Sequence, residues 1–311
     1  MYYFIVNPNA CQGFGGKLWK RLERRVKQAG VDYKVRLAAE PGEAGAYTVQ
    51  VTGRAAETQQ VIVAVGDDGT FNEILEGLAF DRSVTLGYVP VSPACDLARG
   101  LHFSRSAGRC LERILNPTAY RYLDYGIMSY QEETPKYRRF LVSCGVGLDA
   151  VVCHFWAERH SKQRWMMFRF RAGRAARLIV GLRKLVLAKP VKGYLVLDGV
   201  RKVEFNHIYF VSAHIHGFEG GGFRFAPGAD GSDGLLEVCV AHASNKIDVG
   251  KMMFDALLGS PGRHRGVHWY SCREAQIHLD ERMPFHVDGD VCGFQTDIRL
   301  GCVEKKLRMI V

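Results

Sequence analysis

Residues 61–74 read Val-Ile-Val-Ala-Val-Gly-Asp-Asp-Gly-Thr-Phe-Asn-Glu-Ile, and this stretch decides the fold that we expect. Its first five residues are all apolar, which is typical of a strand buried on both faces of a parallel sheet. Gly66 and Gly69 follow, and we expect them to form a turn with unusual backbone angles. The stretch therefore predicts a buried strand that ends in a glycine turn.

A helix is expected directly after this turn, with Thr70 or Asn72 as its N-cap. Its apolar stripe consists of Ile74, Leu75 and Leu78. A strand, a glycine turn and a helix N-terminus together form a phosphate site, because free backbone N–H groups point outward there. Asp68 adds a carboxylate for a metal or a proton. The alternative interpretation is a tight turn that carries two acids in solvent.

The residues before this stretch contain a second unit of the same kind. Residues 2–6 are a predicted strand, residues 7–16 a glycine-rich turn, and residues 17–28 a helix with an apolar stripe. The turn lacks the Gly-Lys-Ser/Thr order of a Walker A loop. Further strands are predicted at residues 33–37 and 84–89, and a further helix at residues 44–51. This alternation predicts a Rossmann-like α/β domain with a parallel sheet.

Beyond residue 122, strand patterns dominate the sequence. The predicted strands are residues 139–143, 194–197, 207–212, 235–240, 275–279 and 285–287. The dipeptides Asp198-Gly199 and Asp288-Gly289 are hairpin signals. We therefore expect an α/β domain at residues 1–122 and a mostly antiparallel β-sandwich domain at residues 123–311, with a helical insertion at about residues 161–188. We leave open that the C-terminal tail packs with the first domain.

The totals favour an intracellular protein that attracts anions. The chain has 311 residues and a formal net charge of +10, which suits nucleotides, nucleic acid or anionic lipid as partners. Nine cysteines without a CxxC pair are typical of reduced thiols and favour the cytosol. Neither a signal peptide nor an apolar run of about 18 residues, the length of a membrane span, is found in the sequence.

One segment is strongly basic. Residues 159–192 contain eleven Lys and Arg residues and no acidic residue, with aromatic and aliphatic residues interleaved. Such a basic amphipathic segment suits an anionic membrane surface. The alternative is an ordinary helix that packs on the β domain and exposes a basic face. Nucleic acid ranks lowest, because no nucleic-acid fold signature accompanies the charge.

Several motifs, in the right order, resemble the bacterial diacylglycerol/sphingosine-type lipid kinase family along the whole chain. The matching residues are 6–10 (Val-Asn-Pro-Asn-Ala), 66–70 (Gly-Asp-Asp-Gly-Thr), 90–99, 147–150 (Gly-Leu-Asp-Ala), 220–236 and 287–290 (Val-Asp-Gly-Asp). The resemblance implies a lipid kinase that transfers the γ-phosphate of ATP to a diacylglycerol-like hydroxyl, with Mg²⁺ as cofactor. It also implies an active-site cleft between the two domains.

Each site residue that the resemblance implies lies within one of these motifs, except Asn72, which follows the second motif by two residues. The nucleotide would lie on Asn7, Pro8, Asn9, Ala10, Gly66, Asp67, Gly69, Thr70 and Asn72. Asp290 would accept the proton of the acceptor hydroxyl, opposite Asp68 in the phosphate turn. Magnesium would bind the Asp233 carboxylate and the carbonyls of Asp230 and Leu235. The network of the cleft would comprise Asp96, Arg99 and Asp149.

The departures from the family pattern cluster at the nucleotide site. Cys11 replaces a glycine, Ala38 a threonine, Asp67 a glycine, and residues 92–95 replace Gly-Thr-x-Asn. Asp67 adds negative charge beside the phosphate, and two unit charges 4 Å apart repel by about 4 kcal/mol at an effective dielectric constant of 20. Asp290 is one methylene shorter than the family's glutamate, a difference of roughly 1 Å that can cost about 100-fold in rate.

Three functions stay open at this point. The first is an ATP- and Mg²⁺-dependent lipid kinase, and the second is an enzyme of the same fold with an altered donor or acceptor. The third is a non-catalytic protein that binds lipid or membrane. The expected location is cytoplasmic, peripheral at the inner face of the membrane, and a homodimer is left open. Outside this scheme, His214, His216 and Glu219 are a conceivable metal cluster, although histidine pairs are more often structural.

Overall fold

The computed structural model describes residues 1–53, 60–80, 84–92, 94–162, 170–261 and 264–311. Within these ranges it describes the side chains of all residues except those between 157 and 172. Two compact units are present. Unit 1 comprises Met1–Asp124 and Lys305–Val311, and unit 2 comprises Tyr125–Glu304. No helix among the described residues is long and apolar enough to cross a membrane.

Strands and helices alternate in the first part of the chain, and strands dominate the second. The strands are β1 (Tyr2–Val6), β2 (Tyr33–Leu37), β3 (Gln60–Gly66), β4 (Val84–Pro90), β5 (Tyr120–Gln131), β6 (Pro135–Phe140), β7 (Ser143–Gly147), β8 (Val191–Leu197), β9 (Arg201–Ile208), β10 (Phe210–His214), β11 (Leu236–Ala241), β12 (Val267–Cys272), β13 (Glu274–Val287) and β14 (Asp290–Ile310). The helices are α1 (Ala10–Gln28), α2 (Glu43–Thr52), α3 (Asp68–Gly77), α4 (Asp96–Gly100), α5 (Ala107–Leu115), α6 (Leu148–Lys162), α7 (Phe170–Leu187) and α8 (Lys246–Leu258).

Unit 1 is the predicted α/β domain with a parallel sheet. Strands β2, β1, β3 and β4 lie side by side in that order, and all of these pairs are parallel. Near the C-terminus, Arg308 and Met309 of β14 pair in parallel with β4. Val6 at the end of β1 lies opposite Val65 near the end of β3, so the loops that follow these two strands emerge at the same edge of the sheet. Both valines are fully buried in the core of the unit.

Unit 2 is the predicted antiparallel β domain. Its sheet has the order β12-β11-β10-β7-β13-β14, with each pair antiparallel, and β8 also pairs with β13. The hairpin signals are confirmed, because Asp198 and Gly199 have φ angles of 51° and 68°, and Asp288 and Gly289 have φ angles of 47° and 88°. These left-handed pairs match the type I′ turns that follow the twist of a hairpin.

Several predicted boundaries in unit 2 are wrong. The predicted strand at residues 139–143 is divided between β6 and β7, and that at 207–212 between β9 and β10. Tyr209 separates the second pair, since its backbone bonds to Leu148 and Ala241 instead. The helical insertion begins earlier than expected, at Leu148, and helix α8 was not predicted. These segments are buried on both faces or amphipathic only in context, so their periodicity gave little signal.

Candidate functional site

The turn between β3 and α3 is built around the Asp67 side chain. Its Oδ1 accepts hydrogen bonds from the Thr70 backbone N–H at 3.1 Å and from the Thr70 hydroxyl at 2.7 Å. Asp67 is therefore the N-cap of α3. The prediction that Thr70 or Asn72 caps the helix is wrong, because the chain becomes helical already at Asp68 and leaves both residues inside the helix.

The two glycines of this turn do not adopt left-handed angles, contrary to expectation. Gly66 is required for another reason, since a Cβ there would lie 2.5 Å from Thr70 Oγ1 and 2.6 Å from Thr70 Cβ. At Gly69 a Cβ would meet only Asp67 Oδ1, at 3.8 Å. The motif thus contains one glycine that close packing requires and one that packing leaves open.

The loop after β1 is hydrogen-bonded to this turn. Asn7 Oδ1 accepts from the N–H groups of Asn9 and Ala10 at 2.9 and 3.0 Å, and Asn7 Nδ2 donates to Thr70 Oγ1 at 3.0 Å. Asn9 Nδ2 in turn donates to the Ala39 carbonyl at 3.0 Å. The predicted nucleotide residues of the two loops therefore lie together within unit 1.

The unusual backbone angles expected at the turn between β3 and α3 occur instead in the loop after β1. Cys11, Gln12 and Gly13 have φ angles of 51°, 61° and 84°. Two of the three carry a side chain in the left-handed region, which costs roughly 1–2 kcal/mol per residue. Cys11 stands at a position where the family motif has glycine, and the left-handed angle gives that glycine a physical reason. Burial, and then the nearby Asp67, raise the pKa of the Cys11 thiol.

Asp68 is tied to a short helix of its own unit. Its carboxylate accepts from the backbone N–H groups of Asp96 at 2.6 Å and Leu97 at 3.3 Å, and from the Tyr88 hydroxyl at 3.2 Å. Complete burial, and secondarily Asp68, raise the pKa of Tyr88 well above its usual value, so the phenol stays a donor. These contacts hold the Asp68 carboxylate at the start of α4.

A cavity of about 450 Å³ opens in unit 1 beside these residues. Its lining includes two arginines, Arg99 and Arg105, and also His102. Cys95, also in the lining, is buried, and burial raises the pKa of its thiol, so it is unsuited to act as a nucleophile. Pro93, within the segment that replaces Gly-Thr-x-Asn of the family pattern, lies outside the described residues.

The predicted proton acceptor, Asp290, lies at the start of β14 in unit 2. It is 64% exposed and pairs with Arg138, with 3.4 Å between Nη2 and Oδ2. The neighbouring Asp288 has a different role, since its carboxylate accepts from the backbone N–H groups of residues 141, 142 and 143, each at 2.9 Å. Asp288 thereby fixes the hairpin that carries Asp290. The expected position of Asp290 opposite Asp68 stays a prediction.

The predicted magnesium residues form an exposed turn. Asp233 Oδ1 accepts from the Leu235 N–H at 2.9 Å, and the Asp230 carbonyl accepts from the N–H groups of Ser232 and Asp233. Gly234 has a φ of 78°, and a Cβ there would lie 3.1 Å from the Glu304 carboxyl carbon. This set of oxygen donors fits a hard cation such as Mg²⁺, and Asp230, Asp233 and the Leu235 carbonyl would hold it.

Asp149 belongs to a buried group of titratable side chains in unit 2. His286 Nε2 lies 3.3 Å from Asp149 Oδ2 and 3.3 Å from Glu219 Oε1. His214 Nε2 lies 3.7 Å from Glu219 Oε2 and 2.9 Å from the Ser212 hydroxyl. We call Asp149, Cys153, His214, Glu219 and His286 the histidine–carboxylate cluster. Whether Asp149 also shares a network with Asp96 and Arg99 stays a prediction.

Sequence reasoning recovered only part of this cluster. It grouped His214 with Glu219 but also with His216, which lies beyond the end of β10 and so does not share a strand face with His214. It missed Cys153 and His286. Two signals were present: Cys153 follows Asp149 by four residues on α6, and His286 is a polar residue between two buried apolar residues of β13.

Burial and mutual contacts set the charges of the cluster. Burial raises the pKa of Asp149, although His286 opposes it. Burial alone would raise the pKa of Glu219 and lower that of His286. Against burial, His286 lowers the pKa of Glu219, and Cys153, Asp149 and Glu219 raise the pKa of His286. As a result the pKa of Glu219 is lowered and that of His286 is raised well above the ordinary values. The cluster thus holds charged groups that are shielded from water.

Helices α7 and α8 expose an apolar surface. Its members are Ile179, Val186, Leu187, Ile247, Phe254 and Leu258, each at least 50% exposed. A groove of about 640 Å³ lies between the two helices, and Lys246 and Lys251 line it. We call these residues the α7–α8 surface. Of the predicted basic segment, Arg174, Arg177, Arg183, Lys184, Lys189 and Lys192 are described, whereas the side chains of residues 159–172 lie outside the described part.

Comparison with known families matches almost the whole chain. Residues 1–124 match the family described as "Diacylglycerol kinase catalytic domain". Residues 144–311 match the family described as "YegS C-terminal NAD kinase beta sandwich-like domain". These two matches follow the boundary between the α/β part and the β-rich part of the chain.

Curated proteins and solved structures agree with these families. The chain is 22% identical to "Putative lipid kinase YtlR" of Bacillus subtilis, over 99% of this chain and 98% of the relative. It is 24% identical to "Diacylglycerol kinase" of Bacillus subtilis, over 93% of this chain and 89% of the relative. A crystal structure titled as a diacylglycerol kinase from Bacillus anthracis str. Sterne superimposes with a TM-score of 0.72 and 16% identity, over 99% of this chain and 96% of the other. The structural likeness supports the two-part fold of an α/β domain and an antiparallel β-sandwich.

Proposed function

We propose that this chain is a phosphotransferase acting on a lipid hydroxyl with ATP as the donor. The chain belongs to the bacterial diacylglycerol/sphingosine-type lipid kinase family, and this membership is the premise of the proposal. The relatives named above are described as lipid kinases, and their families match both parts of this chain. The acceptor that this family relation favours is a diacylglycerol-like lipid.

The observation that carries the proposal is the joined pair of loops in unit 1. Asn7 connects the loop after β1 to Thr70 at the start of α3, beside a helix N-terminus. Parallel strands ending at one edge, followed by such loops, form the usual place for a nucleotide in an open α/β sheet. Asn7, Asn9 and Thr70 supply polar groups there, and Arg99 supplies positive charge nearby.

Phosphoryl transfer depends mainly on positioning and on neutralising charge. A bound Mg²⁺ would supply part of that neutralisation, and the turn at residues 230–235 has donors that would hold this ion. In the proposed mechanism Asp290 accepts the proton of the acceptor hydroxyl. Support for this role comes from its exposure, from the Arg138 guanidinium that orients it, and from the rigid hairpin that Asp288 holds.

A direct assay tests the proposal. Purified protein is incubated with radiolabelled ATP, Mg²⁺ and vesicles that contain diacylglycerol, and labelled lipid is measured. Asp290→Asn should lower turnover by about 100-fold or more and leave ATP affinity nearly unchanged, because the group acts in the transition state. Asp297→Asn is the matched control, since Asp297 is equally exposed at 65% and pairs with His278 instead. Full activity of Asp290→Asn would remove Asp290 from the mechanism.

A second candidate function is a lipid-binding protein that no longer uses ATP. The observation in its favour is the Asp67 carboxylate, which accepts the hydrogen bond at the helix N-terminus where a phosphate oxygen would otherwise be bound. Calorimetric titration with ATP and Mg²⁺ separates the two functions. Heat of binding that saturates supports the kinase, and its absence together with retained vesicle binding supports the lipid-binding protein.

The proposal includes peripheral attachment to the cytoplasmic face of a membrane through the α7–α8 surface. Apolar side chains with basic residues around them suit the interface of an anionic bilayer. Ile247 and Phe254 are well exposed, and Lys251 lies beside them on α8. Flotation with vesicles should therefore recover more protein with anionic than with neutral lipid, and less as salt rises.

Variants locate the contact. Phe254→Glu should weaken vesicle binding, because a charge replaces an inserted apolar side chain. Val200→Glu is the control, since Val200 is 88% exposed on the turn between β8 and β9 and does not line the groove between α7 and α8. Equal loss in both variants would contradict a membrane contact through α7 and α8.

A further inference from the structure

The histidine–carboxylate cluster contains the donor atoms of a metal site. Cys153 Sγ, a Glu219 carboxylate oxygen and a ring nitrogen of His286 all lie within 4.8 Å of one another. They come from three separate segments, namely α6, the loop after β10, and β13. Since tertiary folding alone brings them together, their convergence is not a product of local sequence.

The charge of the cluster favours a cation. Two carboxylates, Asp149 and Glu219, face one histidine ring, and their side chains are 11% and 12% exposed while the ring is fully buried. Glu219 Oε2 is buried and makes no hydrogen bond to the described residues. Shielded carboxylate oxygens of this kind are stabilised by a counter-ion or by metal coordination.

The backbone keeps this space open. Gly145 on β7 lies directly opposite His286 of β13. A Cβ at Gly145 would lie 1.8 Å from Asp149 Oδ2 and 3.0 Å from His286 Nε2. Any larger residue would therefore fill the place where the donor atoms meet. Cys153 is only partly buried, which leaves a route for an ion from solvent.

We infer that Cys153, Glu219 and His286 bind a divalent transition-metal ion, Zn²⁺ being the best match, with Asp149 beside them as an additional oxygen donor. Sulfur, imidazole nitrogen and carboxylate oxygen together are the donors of zinc sites. Mg²⁺ and Ca²⁺ prefer oxygen alone, so the site is chemically separate from the turn at residues 230–235. On binding, the Cys153 thiol and the His286 Nε2–H each release a proton to solvent.

Such an ion would brace the hairpin that carries Asp290. His286 is four residues before Asp290 in the chain, and the ion would join this strand to α6 and to the loop after β10. The inference concerns unit 2 alone and does not depend on kinase activity. Its role is to position, because none of the three side chains is proposed to contact substrate.

Cobalt substitution tests the site. Protein freed of metal with a chelator is titrated with Co²⁺, and absorbance is recorded from the near ultraviolet to the visible. One equivalent should produce a thiolate-to-cobalt band in the near ultraviolet, and Zn²⁺ should displace it. Binding of Co²⁺ at the oxygen-only turn would give no such band, so the two sites are distinguishable.

Two variants and a control complete the test. Cys153→Ser should abolish the thiolate band, and His286→Gln should weaken metal affinity at least 100-fold, with circular dichroism confirming that both remain folded. Cys302→Ser is the control, since Cys302 is a partly buried cysteine of unit 2 outside the cluster. A wild-type protein without the band, or a band that persists in Cys153→Ser, overturns the inference.

Discussion

Two pairs of carboxylates in this molecule are stabilised by different kinds of partner. Asp67 and Asp68 in unit 1 accept hydrogen bonds from backbone N–H groups at the starts of α3 and α4. Asp149 and Glu219 in unit 2 share the His286 side chain as an ionic partner. Asp149 also accepts from the Ala150 backbone N–H at 2.7 Å, and Glu219 Oε2 lies 3.7 Å from His214 Nε2. The first pair is held by the local fold at the edge of a sheet. The second pair shares one ionic partner from a distant strand, and should be more sensitive to the loss of that residue.

The largest effect is expected when His286 is replaced. His286→Leu removes the ionic partner that two shielded carboxylates share, which should lower the free energy of unfolding by about 3–5 kcal/mol. The measurement is urea denaturation of metal-free protein with a chelator present. His278→Leu is the control, because the His278–Asp297 pair is largely exposed and such pairs contribute about 0–1 kcal/mol. Similar losses in both variants would erase the distinction between the two pairs of carboxylates.

The next effect separates the two glycines beside Asp67. Gly66→Ala places a Cβ against Thr70, whose hydroxyl is bonded to Asp67 and Asn7 and cannot easily move. It should destabilise the protein by about 1–3 kcal/mol. Gly69→Ala meets no close neighbour and should stabilise α3 by about 0.5–1 kcal/mol. Thermal unfolding of both variants gives the comparison, and a stabilised Gly66→Ala would contradict the packing that we describe.

The smallest effect concerns nucleotide affinity at Asp67. Asn is as good an N-cap as Asp, so Asp67→Asn removes the charge and keeps the cap, whereas Asp67→Gly removes both. If charge repulsion limits binding, both variants should tighten Mg²⁺–ATP binding by about 10-fold, or 1.4 kcal/mol. Tightening in Asp67→Gly alone would show that the occupied N–H group is the obstacle. Weaker binding in both would contradict the repulsion argument, and calorimetry measures all three outcomes.

Local sequence patterns predicted much of the fold. The apolar run before Gly66 predicted β3, and the Asp-Gly dipeptides predicted hairpins that the structure confirms. These signals are strong because a buried parallel strand needs an apolar residue at nearly every position, and a type I′ turn needs left-handed angles. The predictions failed where segments are buried on both faces in short pieces, as between β9 and β10.

The candidate site likewise has features that the sequence predicted and features that it did not. The motif residues Asn7, Asp67 and Thr70 are close in the fold because adjacent parallel strands deliver their loops to one edge, which the sequence pattern already implies. The pattern did not reveal that Asp67 caps α3, since Asp, Thr and Asn are all good N-caps and only the backbone angles choose among them.

The sequence by itself determined the family, the order of strands and helices from β1 to β4 in unit 1, and the positions of the two Asp-Gly hairpin turns. Each of these follows from residues close together in the chain. Only the tertiary structure brought Asp149, Glu219 and His286 together, across a separation of 137 residues between the first and the last. Contacts of that range leave no periodicity in a single sequence, because what selects them is the burial of charge in the folded core.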